Sequence, residues 1–293
     1  MTAVDRAVPV DLDGERADRI LAVLGEISRA DARALVTAGD ATFDGVAVKP
    51  ADRIAAGTRL VSPLPVPEAP LEPEPVPFGV VHEDDHLAVV DKPAGITVHP
   101  GAGRRTGTLA AGILHRWPRV RGVGEEGRWG LVHRLDRDTS GLLLVALTVE
   151  THADLQAMLR RREVTRVYLA RVRGRLDAAT GTIDAPIGRD PRSPTRFRVD
   201  RGGRPARTHY EVLSDDGDGS LLRVTLETGR THQIRVHLRS IGHPVLGDPV
   251  YGRSDEAPRL WLHAARLAFT HPVTGADVDV ESPLPADLAG DGA

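Results

Sequence analysis

The chain of 293 residues has no cysteine, only two lysines, few aromatic residues and no long apolar run. The absence of cysteine excludes disulfide scaffolds, zinc sites built from thiolates and cysteine nucleophiles, and it fits a reducing compartment. The longest uninterrupted apolar run, from Leu142 to Leu147, is far shorter than the roughly 20 residues that a membrane-spanning helix needs. The N-terminal residues carry frequent charges and lack the apolar core of a signal peptide. These absences predict a soluble, cytoplasmic protein without a membrane partner.

The formal net charge of −3 hides an uneven distribution along the chain. Residues 104–240 carry 26 basic and 16 acidic side chains, a balance of +10, whereas the segments before and after them are acidic. Every basic residue except Lys49 and Lys92 is an arginine, whose flat guanidinium group binds phosphates and stacks on bases. The central segment therefore predicts a nucleic-acid partner, although for any single arginine a solvated surface position is the simpler explanation.

A proline-rich segment divides the chain. Seven prolines occur within residues 62–77, and such a segment neither continues a helix nor donates a full ladder of sheet hydrogen bonds. Polyproline geometry makes it a semi-rigid spacer. We therefore predict a small domain over residues 14–62, a linker over 63–77 and a large domain over 78–285.

The small domain has the pattern of two short helices followed by a hairpin. Apolar residues recur at helical spacing from Ile20 to Ile27, and Ser28 is a candidate N-cap for a second helix that ends near Gly39. The dipeptide Asp44-Gly45 favours a tight hairpin turn. This α/β pattern resembles the S4 domain, a small RNA-binding module. Arg29 and Arg33 lie four residues apart on the second predicted helix, where they could face RNA phosphates, while a purely solvated helix face remains the alternative.

The large domain contains mainly strand-like runs, interrupted by helical stretches at residues 151–162 and 232–240. Strands and helices do not alternate regularly enough for a doubly wound parallel sheet. We expect an α+β fold with a mixed or antiparallel sheet. The predicted strands cover residues 87–90, 142–147, 164–172, 209–213, 221–226 and 260–269. The arginine-rich stretch from 189 to 207 is predicted to be a mobile basic loop.

Three ordered motifs in the large domain carry a specific resemblance. The first is HRLDRDTSG over residues 133–141, and it lies between an upstream DKPAG at 91–95 and a downstream ETGRTHQIR at 227–235. Together they resemble the RluA-type family of RNA pseudouridine synthases, over about residues 14–285 when the S4-like module is included. Such enzymes break the bond between uracil N1 and the sugar, turn the base and rejoin it through C5. The reaction gains or loses no atoms or electrons, so we expect no cofactor.

The resemblance implies a catalytic role for three residues. Asp136 is expected to act on the sugar, either as a nucleophile or as a base that removes a sugar proton, and the sequence leaves both open. Tyr168 is expected to stack on the target base and to help remove the C5 proton. Arg235 is expected to pair with the Asp136 carboxylate and orient it.

Two further arginines are candidate substrate-binding residues. The resemblance implies that Arg134 fills the gap that the uracil leaves when it is extruded from folded RNA. Arg230 could contact a phosphate or cap the following helix. His232 and His237 lie five residues apart, off the spacing that places two metal ligands on one helix face, so we predict no metal site.

The expected substrate is large-subunit ribosomal RNA, because relatives that carry an S4 domain mostly modify ribosomal RNA. Transfer RNA is an alternative substrate. Another alternative is a ribosome assembly factor that binds RNA and whose catalysis is dispensable. We expect the protein to act as a monomer.

Overall fold

A computed structural model describes residues 3–64, 70–101 and 106–289 of the chain. The chain forms two compact units, Met1–Pro70 and Leu71–Ala293. Among the described residues no helix is long and apolar enough to cross a membrane.

The first unit combines two helices with a small antiparallel sheet. Its strands are β1 (Ala3–Ala7), β2 (Glu15–Arg16), β3 (Thr42–Phe43), β4 (Val46–Ala47), β5 (Arg53–Ile54) and β6 (Arg59–Pro63), and its helices are α1 (Ala17–Gly25) and α2 (Arg29–Ala38). The main sheet has the order β1-β6-β3-β4, and β2 pairs separately with β5.

Local signals explain where the elements of this unit begin and end. The Ser28 hydroxyl accepts a hydrogen bond from the Asp31 N–H and caps α2, which ends at Gly39 in the left-handed conformation. Asp44 and Gly45 both have positive φ angles and form the two-residue turn between β3 and β4. These features confirm the helix cap and the hairpin predicted from the sequence.

The second unit is built on one large mixed sheet. Its strands are β7 (Gly79–Glu83), β8 (Leu87–Lys92), β9 (Ser140–Ala146), β10 (Thr165–Arg173), β11 (Thr180–Asp184), β12 (Ile187–Asp190), β13 (Ser193–Val199), β14 (Arg207–Asp215), β15 (Gly219–Leu226), β16 (Leu262–Thr270) and β17 (Asp277–Glu281). Its helices are α3 (Leu109–Arg116), α4 (Val149–Arg161), α5 (Gln233–Ser240) and α6 (Ala286–Ala289). The sheet order is β11-β14-β15-β10-β16-β9-β8-β7, with β17 beside β16. Only the β9–β16 pair is parallel among the pairs of this sheet in the described chain, which confirms the predicted α+β class.

Strand β9 lies inside the sheet, between β16 and β8, and is buried on both faces. Leu143 and Val145 belong to the larger apolar core, while Leu142 and Leu144 belong to a second core on the opposite face. Helix α4 contributes to this second core through Leu155. Because both faces of β9 are packed, the loop that precedes this strand has a rigid anchor.

A glycine is required where β9 meets β16. Gly141 has a φ angle of +109°, and a Cβ atom there would lie 2.2 Å from the Ala264 carbonyl oxygen. The glycine of the TSG motif therefore allows the two strands to pair, because any side chain would collide with the neighbouring backbone.

Two sequence-based expectations need correction. The stretch from 189 to 207, predicted to be a mobile loop, contains most of an antiparallel hairpin formed by β12 and β13. Phe197 of this hairpin packs with Ile187 and Tyr251 in a small apolar cluster, which gives the hairpin a core that its many arginines concealed.

The proline-rich segment is only partly a linker. Residues 65–69 lie outside the described part of the chain. Leu71 is buried in the core of the second unit, and the Glu74 N–H donates a hydrogen bond of 3.2 Å to the Ala111 carbonyl of α3. The residues from Leu71 onward therefore belong to the second unit, whose sequence-based boundary at residue 78 was placed too late.

Candidate active site

The loop over residues 131–139 leads directly into β9. Leu131 forms a bridge with Val145, and Leu135 is buried in the main core. The Thr139 N–H donates to the Asp136 carbonyl, which closes a turn just before the strand. Both ends of the loop are thus attached to the sheet, and Asp136 is held between them.

A buried lysine connects this loop to the DKPAG motif. The Lys92 ammonium group donates hydrogen bonds of 2.8, 3.0 and 2.9 Å to the carbonyls of Pro93, Ile96 and Arg137. The Arg137 carbonyl also accepts from the Gly95 N–H. Lys92 is fully buried, and this burial lowers its pKa to about 7, against the opposing effect of nearby carboxylates. The motif therefore acts as a clamp on the loop that carries Asp136.

Asp136 is paired with a buried arginine. Its Oδ2 atom lies 2.8 Å from Nη1 of Arg235, and the exposed fractions of the two side chains are 16% and 7%. The other edge of the Arg235 guanidinium group donates to both oxygens of Asp248, at 2.7 and 2.8 Å. Burial alone would lower the pKa of Arg235, but the hydrogen bonds and charges of Asp248 and Asp136 raise it instead. Arg235 is thus a permanent cation with a fixed orientation.

Aromatic side chains support this arginine from one side. The Tyr251 ring lies 5.1 Å from the Arg235 guanidinium carbon. The Tyr251 hydroxyl accepts from the Phe197 N–H and lies 2.9 Å from Nδ1 of His232. Burial lowers the pKa of His232, whose Nε2 lies 3.9 Å from Oδ1 of Asp136. A hydrogen bond from Tyr251 to Nδ1 would leave the proton of neutral His232 on Nε2, on the side of Asp136.

Tyr168 reaches the same cavity from β10. A β-bulge between Val167 and Tyr168 shifts the register against β16, and bulges of this kind redirect side chains next to functional sites. The side chain is 6% exposed, and burial raises the pKa of the Tyr168 hydroxyl. The phenol therefore stays protonated near neutral pH and offers an apolar face with a polar tip.

The cavity around these residues has a volume of about 570 Å³, within the range of sites that bind small molecules. Its lining is rich in arginine and includes Arg134, Arg160, Arg162, Arg166, Arg204, Arg230 and Arg235. Two buried polar atoms in the lining, Nε of Arg166 and Oγ1 of Thr139, have no hydrogen-bond partner within the described ranges. The arginines of the lining favour an anionic ligand in the cavity.

Five of the seven site residues predicted from the sequence line this one cavity: Arg134, Asp136, Tyr168, Arg230 and Arg235. Arg134 is exposed at its edge. Arg230 donates through Nε to the Pro205 carbonyl, and burial together with the charge of Arg204 lowers its pKa.

The other two predicted site residues lie in the first unit. Arg29 and Arg33 are exposed on α2, one helical turn apart. Arg29 also lies 3.5 Å from the buried carboxylate of Asp18, so part of its charge is already compensated within the protein.

Sequence reasoning missed two buried residues of the site. Asp248 and Tyr251 occur in a stretch, GDPVYG, that reads as a turn. An acidic residue between apolar neighbours was the available signal, but its partner Arg235 precedes it by 13 residues. Within the described part of the chain no group of three or more His, Cys, Asp or Glu residues could hold a metal ion.

The size and basic lining of the cavity suit a nucleotide, and a rigidly held carboxylate suits work on a glycosidic bond. These features define a nucleic-acid-modifying enzyme. Residues 86–240 match the family described as RNA pseudouridylate synthase, and the chain belongs to this family. It is therefore an isomerase that converts uridine in RNA to pseudouridine.

The similarity to individual relatives extends over nearly the whole chain. A protein of Nitrosomonas europaea named ribosomal large subunit pseudouridine synthase D is 44% identical over 98% of this chain and 86% of its own length. An uncharacterized RNA pseudouridine synthase of Chloroflexus aurantiacus is 48% identical over 96% of this chain and 90% of its own. Among solved structures, human RNA pseudouridylate synthase domain containing 1 superimposes with a TM-score of 0.60 at 29% identity. The match covers 72% of this chain and 85% of that one.

Proposed function

We propose that this protein converts specific uridines of large-subunit ribosomal RNA to pseudouridine, with Asp136 as the essential catalytic group. The observation that carries the proposal is the position of Asp136, paired with buried Arg235 in an arginine-lined cavity that Tyr168 also enters. The proposed RNA substrate follows from the names of relatives such as those of Nitrosomonas europaea and Pseudomonas aeruginosa, which are ribosomal large subunit pseudouridine synthases.

The residues of the cavity fit each step of the isomerisation. Asp136 acts on the ribose, as a nucleophile at C1′ or as a base that removes a sugar proton, while the N1–C1′ bond breaks. The freed uracil turns against the Tyr168 ring. A bond then forms between C5 and C1′, while the bond from Asp136 to C1′ breaks on the nucleophilic route, or the sugar regains its proton from Asp136 on the other route. The proton lost from C5 is balanced by the one gained at N1, and Tyr168 is placed to assist its removal. Arg235 keeps the Asp136 carboxylate in position throughout.

Arg134 is proposed to occupy the space that the extruded uridine leaves in the RNA. It is exposed at the edge of the cavity, two residues before Asp136. A flat guanidinium group can stack on the bases that flank the gap. We expect Arg134→Ala to reduce turnover more than RNA binding.

The decisive test maps pseudouridines in ribosomal and transfer RNA from cells that lack this gene. The cells are complemented with the wild-type protein or with Asp136→Asn, which keeps the shape of the side chain and removes its charge. We expect the wild type to restore a missing pseudouridine in large-subunit ribosomal RNA and the variant to restore none. Full restoration by Asp136→Asn would contradict the catalytic assignment. If the pseudouridine that is lost with the gene lies in transfer RNA, then transfer RNA and not ribosomal RNA is the substrate.

The first unit is proposed to be an S4-like RNA-binding module. Its support is the sequence resemblance together with the exposed arginines Arg29 and Arg33 on one face of α2. The double variant Arg29→Ala/Arg33→Ala should bind the mapped RNA more weakly. Its kcat and its melting temperature should not change. Arg19→Ala on α1 of the same unit, whose side chain already pairs with Glu15, serves as the control. Equal affinities of the two variants for the RNA would contradict the proposed RNA-binding role of this unit.

The predicted monomeric state and cytoplasmic location belong to the same proposal. Sedimentation of the purified protein with and without RNA tests the first, and fractionation of cells tests the second.

A further inference from the structure

A second, smaller cavity adjoins the proposed reaction cavity. It has a volume of about 150 Å³ and shares with the larger cavity the wall residues Val132, His133, Arg134 and Gln156. Arg134 therefore borders both cavities. Its exposed side chain has no hydrogen-bond or ion-pair partner among the described residues, so it can adjust to a ligand on either side.

His99 offers unused hydrogen-bonding groups to this smaller cavity. The ring is half-buried and has no hydrogen-bond partner among the residues that the structure describes. Burial, together with the positive charges of Arg134 and Arg128, lowers the pKa of His99 to about 4. At neutral pH its ring is uncharged and presents one donor, one acceptor and a flat face.

One wall of the cavity is well packed and uncharged. His152 is 9% exposed and lies against Gly124, where a Cβ atom would come within 2.5 Å of the His152 ring. Leu131 adds a buried apolar surface. These contacts give this side of the cavity a fixed shape before any ligand arrives.

The chemistry of the cavity does not favour a phosphate. The one other cation that lines it, Arg128, pairs with Glu125 at 3.1 Å, and the Glu125 carboxylate would repel an anion. The volume is also below the 300–1,000 Å³ that is usual for sites that take whole small molecules. A single flat, uncharged ring with hydrogen-bonding edges fits these properties.

We propose that this cavity binds the nucleobase next to the target uridine in the same RNA strand, and that His99 recognises the edge of that base. The proposal rests on the proposed function, since it places the target uridine in the larger cavity. Arg134 then lies between the two bases and keeps them apart. Sequence-specific recognition of RNA commonly uses unstacked bases read along their edges, which this arrangement would provide.

The experiment uses the full-length protein and an RNA fragment that contains the mapped uridine. The nucleotides immediately before and after this uridine are replaced, one at a time, by abasic residues. For the wild type we expect one of the two replacements to lower kcat/KM by about tenfold, as loss of one base–protein contact does. On the intact fragment His99→Ala should show a similar loss.

Combining the protein substitution with the RNA replacement distinguishes a direct contact from a structural effect, because only groups in contact have non-additive effects on kcat/KM. If His99 binds the neighbouring base, the abasic replacement should cause no further loss in His99→Ala. His99→Phe, which keeps a flat ring without hydrogen-bonding atoms, should recover part of the activity. His115→Ala alters an exposed histidine of α3 that lines neither cavity, so it should respond to the abasic replacement as the wild type does.

Independent, additive losses from His99→Ala and from the abasic replacements would overturn the proposal, as would a wild-type rate that neither of the two replacements lowers. The outcome is separate from the test of the proposed function. If mapping places the target uridine in transfer RNA, the same variants are measured on that fragment. Activity of Asp136→Asn would contradict the catalytic assignment whatever His99 does.

Discussion

At the residue scale, Arg235 depends on two carboxylates at once. Only one of them, Asp136, faces the cavity, while Asp248 is fully buried and also accepts hydrogen bonds from the N–H groups of Val250 and Tyr251. Removing a cation from water costs free energy, and a single buried partner would offset only part of that cost. Asp248 therefore holds Arg235 in a fixed orientation, so that its third nitrogen stays aimed at Asp136.

The first prediction concerns this support. Asp248→Asn keeps the shape of the side chain but leaves Arg235 with one carboxylate, so we expect the free energy of unfolding to fall by about 3–5 kcal/mol. We also expect kcat to fall more than KM changes, because Asp248 acts through Arg235 and Asp136. Urea unfolding and steady-state kinetics measure these effects. Asp279→Asn, which removes an exposed partner of Arg266, is the control and should change little. Equal effects of the two substitutions would show that Asp248 has no such role.

At the scale of elements, the clamp between the DKPAG motif and the loop over residues 131–139 connects two segments that lie far apart in sequence. The Lys92 ammonium group has three carbonyl acceptors, of which the Arg137 carbonyl belongs to that loop. The same carbonyl accepts from the Gly95 N–H. The position of Asp136 thus depends on the end of β8 as well as on β9.

The second prediction removes this clamp. Lys92→Met preserves the length of the side chain but removes the donor of the Pro93 and Ile96 carbonyls and one of the two donors of the Arg137 carbonyl, at a cost of about 2–3 kcal/mol. We expect the Thr139 amide hydrogen to exchange faster with solvent and kcat to fall. Lys49→Met alters the only other lysine of the chain, which is exposed in the first unit, and it should leave this exchange unchanged. Unaltered exchange at Thr139 in Lys92→Met would contradict the proposed clamp.

At the scale of the whole molecule, the stability of the second unit depends on histidines that are buried in their neutral form. His237 accepts from Thr208 at Nδ1 and donates from Nε2 to the Ala185 carbonyl, and His263 sits in the same way between Ser140 and the Ser282 carbonyl. Burial lowers the pKa of both histidines. A second proton on either ring would remove an acceptor that its neighbour uses.

The third prediction follows from the sign of these shifts. Because the pKa of each histidine is lower in the folded than in the unfolded chain, the unfolded chain binds more protons once the pH falls below about 6.5. The free energy of unfolding should therefore fall as the pH is lowered from 7.5 to 5, before the paired carboxylates titrate. Chemical denaturation across this range measures the slope. Replacing His263 by Asn should make the slope shallower, and an unchanged slope would exclude His263 as a source of the pH dependence.

Local sequence signals were sufficient for several elements. Helix α2 and the β3–β4 hairpin are delimited by Ser28, Gly39 and the Asp44-Gly45 turn, which act on residues close to them in sequence. Strand β9 was predicted because its continuous apolar run is typical of a strand that is buried on both faces. Helix α3 was missed although Thr108 caps it, because six successive residues of this helix are buried and its apolar run lacks the periodicity of an amphipathic helix. The β12–β13 hairpin was missed because its core is completed by Tyr251, which lies far along the chain.

The sequence by itself determined the family, the α+β class, the two motifs that contain Asp136 and Arg235, and the strand-like run that contains Tyr168, because motifs and hydrophobic periodicity are local properties of the chain. Only the tertiary structure decided which groups meet: the pairing of Arg235 with Asp248, the hold of Lys92 on the Asp136 loop and the position of His99 beside Arg134. Burial and hydrogen bonding depend on distances between segments that are remote in sequence, and such distances exist only after the chain has folded.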